Sequence, residues 1–121
     1  RERYSGRYQL TVFTPPVNVA GGLAWTALVH DPQEDLILFV NSAHTFEAAA
    51  LSAFEAIAAG QRAKNAPPLR LPAEVWTDSF PVYEALKDVL AELEVRFLCK
   101  TNGIPKLEAL RASLSDYLVS Q

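Results

Sequence analysis

The sequence predicts an α/β fold: a mixed five-stranded sheet, three antiparallel strands followed by αβαβα, with helices packed on it. Three observations predict it. The first third carries strand-like runs with no helical pattern between them, the rest alternates helix, strand, helix, strand, helix, and a single well-capped helix divides the two regimes. Runs joined by short turns pair antiparallel, whereas strands separated by a helix have room for a crossover to a parallel neighbour.

The first strand is Tyr8 to Thr14, where Tyr8, Leu10 and Val12 alternate with Gln9 and Thr11 and Phe13 breaks the pattern near the end. Pro15-Pro16 stops it by removing two backbone donors, and Gly21-Gly22 closes the loop that follows. Leu23 to His30 and Leu36 to Val40 are apolar runs joined by the polar turn Asp31-Pro32-Gln33-Glu34-Asp35, which makes a hairpin. The second run is apolar on both faces, so it is expected to be covered on both sides or to pair with a partner.

Thr45 offers an N-cap to a helix over Phe46 to Ala59, and Gly60 offers its C-cap. Phe46, Ala50, Ala53, Phe54 and Ile57 share one face, Glu47 and Glu55 are turned elsewhere, and the many alanines allow a close approach to the sheet. Gln61 to Pro72 is a polar, Pro-rich connection over the surface. Glu74 to Thr77 is a short strand running into Asp78 and Ser79, either of which caps the next helix; Pro81 sits in its first turn, and Val82, Leu86, Val89, Leu90 and Leu93 form its apolar stripe. Val95 to Cys99 is the fifth strand, Asn102-Gly103 marks the exit turn, and Pro105 opens a last helix with Leu107, Leu110, Leu114, Tyr117 and Leu118 on one face.

A chain of 121 residues, half of them hydrophobic, is enough for one core, so residues 1–121 are expected to form a single domain. It opens on Arg1 and holds no methionine, which suggests a piece of a longer polypeptide. Acids outnumber Lys plus Arg by 14 to 11, and the basic clusters Arg1, Arg3, Arg7 and Arg62, Lys64, Arg70 are ragged, which argues against nucleic acid as a partner. The one cysteine, Cys99, lies in an apolar run and is expected to be a small core residue. No run approaches the roughly 20 apolar residues of a membrane span and no signal-peptide pattern opens the chain, so a cytoplasmic location away from membranes is expected.

The element order, and the run Glu74-Val75-Trp76-Thr77-Asp78-Ser79 followed by Val82-Tyr83, resemble the ribonuclease H-like superfamily, in which the fourth strand runs into Thr-Asp-Ser and a helix. Ala50 to Ile57 is similar to that superfamily's Glu-Leu-x-Ala-x-x-Ala-Leu helix. The later part also resembles an uncharacterised domain family of photosynthetic bacteria and plants. In active ribonuclease H-like proteins several carboxylates hold two divalent metals about 4 Å apart for phosphodiester cleavage. Asp78 matches one of those positions. The first-strand acid is absent, the helix acid is replaced by Ala50 with Glu47 about one turn earlier, Glu108 is the nearest acid on the last helix, and Asp116 is too far along. One carboxylate does not hold Mg²⁺, which needs several hard oxygen ligands.

The resemblance and the missing acids together lead to a non-catalytic ribonuclease H-like module, without cofactor or metal, that associates with a protein partner or with copies of itself. Two alternatives remain: a Mg²⁺-dependent nuclease using Asp78, Glu47 and Glu108, and a small-ligand binder in a cleft beyond the strand ends near Thr14, Asp78 and Ser79, lined by Trp76 or Phe80. Asp78 is read first as an N-cap, worth about 0.5–2 kcal/mol. His30 and His44 are read as a hairpin-end residue and a residue preceding a helix cap, and Trp25 and Trp76 as core. No Ser-His-Asp order, phosphate-binding glycine loop or metal-spaced Cys/His set occurs.

Overall fold

The computed structural model describes residues 3–15, 24–60 and 69–119, the last three by backbone alone. Strands β1 (Arg3–Phe13), β2 (Trp25–Asp31) and β3 (Leu36–Ala43) precede helix α1 (Phe46–Ala59), strand β4 (Leu71–Thr77), helix α2 (Phe80–Glu92), strand β5 (Arg96–Cys99) and helix α3 (Pro105–Val119). They form one sheet in the order β3-β2-β1-β4-β5. β1 pairs antiparallel with β2, and β2 with β3, whereas β4 is parallel to both β1 and β5. The predicted order and fold class are those observed.

Two strands start earlier than their periodicity suggests. β1 begins at Arg3 because Tyr4 is buried beside Tyr8; the register with β4 shifts between Tyr4 and Arg7, and a Cβ at Gly6 would fall on the Tyr4 ring. β4 begins at Leu71 and takes in Pro72, a residue poor in central strands. It is tolerated because β5 pairs only from Glu74 onward, leaving β4 an edge at Pro72. Pro16, Gly21-Gly22, most of the Pro-rich connection, and the basic residues Arg1, Arg62 and Lys64 lie outside the described residues.

One face of the sheet carries α1 and α2. Tyr8, Leu10 and Val12 of β1, Ala27 and Val29 of β2 and Val75 of β4 meet Ala49, Ala50, Ala53, Ala56 and Ile57 of α1 and Val82, Leu86 and Leu90 of α2. The alanine face explains why Phe46 and Phe54 flank this contact, half-buried. The caps of α1 form as predicted: Thr45 Oγ1 accepts from the Ala48 N–H at 3.1 Å, and Gly60, at φ 69°, donates its N–H to the Ala56 carbonyl. The other face carries α3, whose Ile104 lead-in and Leu107, Leu110 and Leu114 pack on Leu28 and Trp76.

β3 is a sheet edge. Leu38 is buried toward α1, but Leu36, Ile37 and Val40 are 42%, 46% and 46% exposed, so the expected cover on both sides is not supplied within the described residues. No helix among them is long and apolar enough to cross a membrane.

Candidate functional site

β1 and β4 run side by side in the same direction, and α3 crosses the sheet face near their C-terminal ends, where open α/β sheets place their ligands. Thr77, fully buried, ends β4; its Oγ1 accepts the Ser79 N–H at 3.2 Å, and its carbonyl takes the Lys100 N–H at 2.7 Å, tying β4 to the loop after β5. The turn so formed makes Ser79 the cap of α2, its Oγ accepting the Val82 N–H at 3.3 Å. The reading of Asp78 as a helix cap is therefore corrected.

Asp78 is engaged instead by α3. Arg111 Nη1 donates to Asp78 Oδ1 at 3.0 Å, and Nη2 to Asp78 Oδ2 at 2.8 Å. Nη1 also donates to Thr11 Oγ1 on β1, at 2.9 Å. The Asp78 side chain is 6% exposed and that of Arg111 26%. A planar guanidinium matches both oxygens of a carboxylate at once, which makes this pair directional as well as charged. Sequence reasoning missed Arg111. The available signal was helical spacing: Arg111 follows Leu107 by four residues and so sits within the sheet-facing leucine stripe.

A cavity of about 520 Å³ opens here, lined by Thr11, Asp78, Ser79, Phe80, Glu108 and Arg111 among others. Of the proposed nuclease ligands it brings together Asp78 and Glu108; Glu47, exposed in the first turn of α1, is not among the lining residues. Of the proposed ligand-binding set, Asp78 and Ser79 line it and Thr14 does not. The donor set does not fit a divalent metal: both Asp78 oxygens are turned to a cation of the protein itself, β1 offers a threonine hydroxyl, and no group of three His, Cys, Asp or Glu able to hold a metal occurs among the described residues.

A second cavity, of about 540 Å³, lies along the loop from β5 to α3 and includes Gln9, Trp76, Cys99, Lys100, Asn102 and Lys106 in its wall. Trp76, expected in the core, is half-buried here; its Nε1 donates to Glu74 Oε1 at 3.0 Å. Arg7 and Lys100 each stand 4.0 Å from its ring centroid. Cys99 is also half-buried rather than a core residue, and burial, with a lesser push from the Asp78 charge, raises its thiol above the usual value and keeps it protonated.

His30 is buried, with Nδ1 at 3.0 Å from Gln9 Oε1 and Nε2 at 2.9 Å from Asp35 Oδ1; His44 is exposed before the Thr45 cap. Asp35 is held below the usual carboxylate value by the hydrogen bond from His30 and then by Lys106. Two members of the basic clusters are also engaged: Arg3 donates to the Leu93 carbonyl, and Arg70 lies over the Tyr4 ring.

No protein-family model and no curated protein matches the sequence. Solved structures do. The HTLV-2 integrase catalytic core domain in complex with magnesium, in its trimeric form, aligns over 97% of this chain and 74% of its own at 13% identity and a TM-score of 0.61. Its dimeric form gives 96%, 73%, 13% and 0.60 in the same order. The simian T-cell lymphotropic virus intasome in complex with PP2A regulatory subunit B56 gamma aligns over 100% of this chain and 44% of its own, at 17% identity and a TM-score of 0.59. The chain thus has the ribonuclease H-like fold of the retroviral integrase catalytic core. At these identities the likeness concerns the fold alone.

Proposed function

We propose that this chain is a ribonuclease H-like domain that does not cut phosphodiesters and serves as a protein-association module. The observation that carries the reading is the Asp78–Arg111 pair. Metal-dependent cleavage needs a cluster of carboxylates free to share divalent ions, and here the one carboxylate at the matching strand end is neutralised by a guanidinium that also takes the Thr11 hydroxyl. A nuclease with relocated ligands would have to release that pair and draw Glu47 into a cavity it does not line.

Association is supported by the edge strand Leu36-Ile37-Leu38-Phe39-Val40-Asn41-Ser42-Ala43, which has no charged residue and no proline, the usual guards of an exposed edge. The HTLV-2 integrase core is described in dimeric and trimeric forms and the simian viral intasome with a protein partner, and we extend that habit of assembly to this chain. The likeness to a family of photosynthetic bacteria and plants has no matching family model beside it and adds nothing to this reading.

Thermal unfolding with and without millimolar Mg²⁺ or Mn²⁺, alongside incubation with DNA and RNA, tests the first half. No rise in melting temperature and no cleavage are expected. A metal-induced rise that Asp78→Asn removes would overturn the non-catalytic reading. Sedimentation over a range of protein concentrations tests the second half, and a strictly monomeric species at every concentration, with no partner bound, counts against it.

A further inference from the structure

The edge strand β3 carries an inference that deepens the association reading and rests on it. We infer that the partner is a second copy of this chain, paired antiparallel with β3 about a twofold axis at Asn41.

The backbone sets the kind of partner. β3 bonds to β2 on one side only, so along its other side alternate residues turn N–H and C=O groups outward. Another extended strand matches that row, whereas a helix has already used its backbone groups internally. The two edges of the sheet differ. β5 is 4 residues long and carries Arg96, whose side chain is 72% exposed, while β3 is 8 residues long and has no charge. A copy of β3 laid on β3 therefore opposes no like charges.

The faces of the sheet set the register. Val40 pairs with Leu28, which faces α3; Phe39 and Asn41 pair with Val29 and Ala27, which face α1. A twofold axis that lays two copies of one strand side by side and antiparallel stands perpendicular to the sheet, so each face continues into the same face of the copy. Residues opposite each other must share a face, and the axis therefore falls at a residue rather than between two. Centred on Val40, the pairing runs into the irregularity at Leu38; centred on Ser42, it runs past the strand end at Ala43. Centring on Asn41 overlaps the whole regular run from Phe39 to Ala43 with its copy.

Side-chain size agrees with that register. Phe39 comes to lie opposite Ala43 of the second copy and Val40 opposite Ser42, so each large residue meets a small one on its own face. Asn41, exposed in the single chain, meets its own copy, and two carboxamides, each with donors and an acceptor, bond reciprocally.

Disulfide trapping in the full chain tests the inference. Cys99, the one native cysteine, is removed by Cys99→Ser, and single cysteines are placed by Asn41→Cys, Val40→Cys, Ser42→Cys and, on the opposite edge, Arg96→Cys. Residues directly opposite in an antiparallel pair stand about 4.5–5.5 Å apart at Cα, within disulfide reach. In this register Val40 and Ser42 each stand about 7–8 Å from their own copies, too far for an unstrained bridge. Under mild oxidation with glutathione disulfide, Asn41→Cys is expected to form a covalent dimer roughly tenfold faster than the other three. Fastest trapping at Val40→Cys or Ser42→Cys would overturn the register. A dimer in sedimentation whose β3 cysteines trap no faster than Arg96→Cys would overturn the interface while leaving the association reading standing. A chain that stays monomeric and associates only with a different protein would overturn the second copy as occupant, again without touching that reading. A chain that associates with nothing sinks both.

Discussion

Arg111 sets the surroundings of Asp78, whose two carboxylate oxygens it holds as half of an internal ion pair. The pair is unequal in exposure, 6% for the Asp78 side chain against 26% for Arg111, so removing the arginine strands a carboxylate that water hardly reaches. Arg111→Leu is expected to cost about 3 kcal/mol, toward the lower end for a broken buried pair because Arg111 is partly solvated. In a domain of this length that lowers the melting temperature by roughly 10 °C. Adding Asp78→Asn should restore most of the loss by removing the stranded charge; a double variant no more stable than the single would show that Asp78 is not the residue Arg111 serves. Asp78 was legible in the sequence because a strand, a Thr-Asp-Ser turn and a Pro-started helix announce it. Its partner was not, since Arg111 is 33 residues away and only the sheet brings α3 over the end of β4. The same distance hid the choice between Asp78 and Ser79 as the cap: both suit the position locally, and a contact from α3 takes one of them away.

Among the elements, α1 was the most legible, since a capping threonine, an alanine face and a terminal glycine all point the same way. Its contact with the sheet depends on side-chain size. Ala49, Ala50, Ala53 and Ala56 are essentially without exposed surface. Ala53→Leu should therefore destabilise the fold by about 1–3 kcal/mol through overpacking, whereas Ala48→Leu, on the exposed side of the same helix, should be nearly neutral. Denaturant unfolding of the two variants checks this, and equal stabilities would mean that the helix stands off the sheet. The starts of β1 and β4 were not legible for a different reason. A register shift at Gly6 breaks the two-residue period in β1, and Pro72 is admissible only because β5 is too short to reach it. Neither condition is visible in the strand's own sequence. β5 itself, Arg96–Cys99, was read one residue too long because Val95 is buried like a strand residue while belonging to the turn before it.

At the scale of the whole molecule the sheet has two unequal edges. β5 is four residues long, while β3 presents eight residues without charge or proline, and Ile37 and Val40 lie exposed beside His30 and Leu28 of β2. The shift in register at Val29 and His30 leaves Leu38 as an extra residue on β3, which bends the first half of the edge; the run from Phe39 to Ala43 pairs regularly with β2 and is the part able to accept another strand. Antiparallel pairing of that run with its copy about a twofold axis opposes no like charges, and it would cover Val40, which this chain leaves open. The double variant Ile37→Lys/Val40→Lys should then be monomeric at concentrations where the parent chain associates. Its melting temperature when dilute should stay within a few degrees of the parent's, because neither side chain is buried in the monomer. Association unchanged by the two lysines would move the interface elsewhere, with the exposed Leu51 and Phe80 as the next apolar positions to substitute.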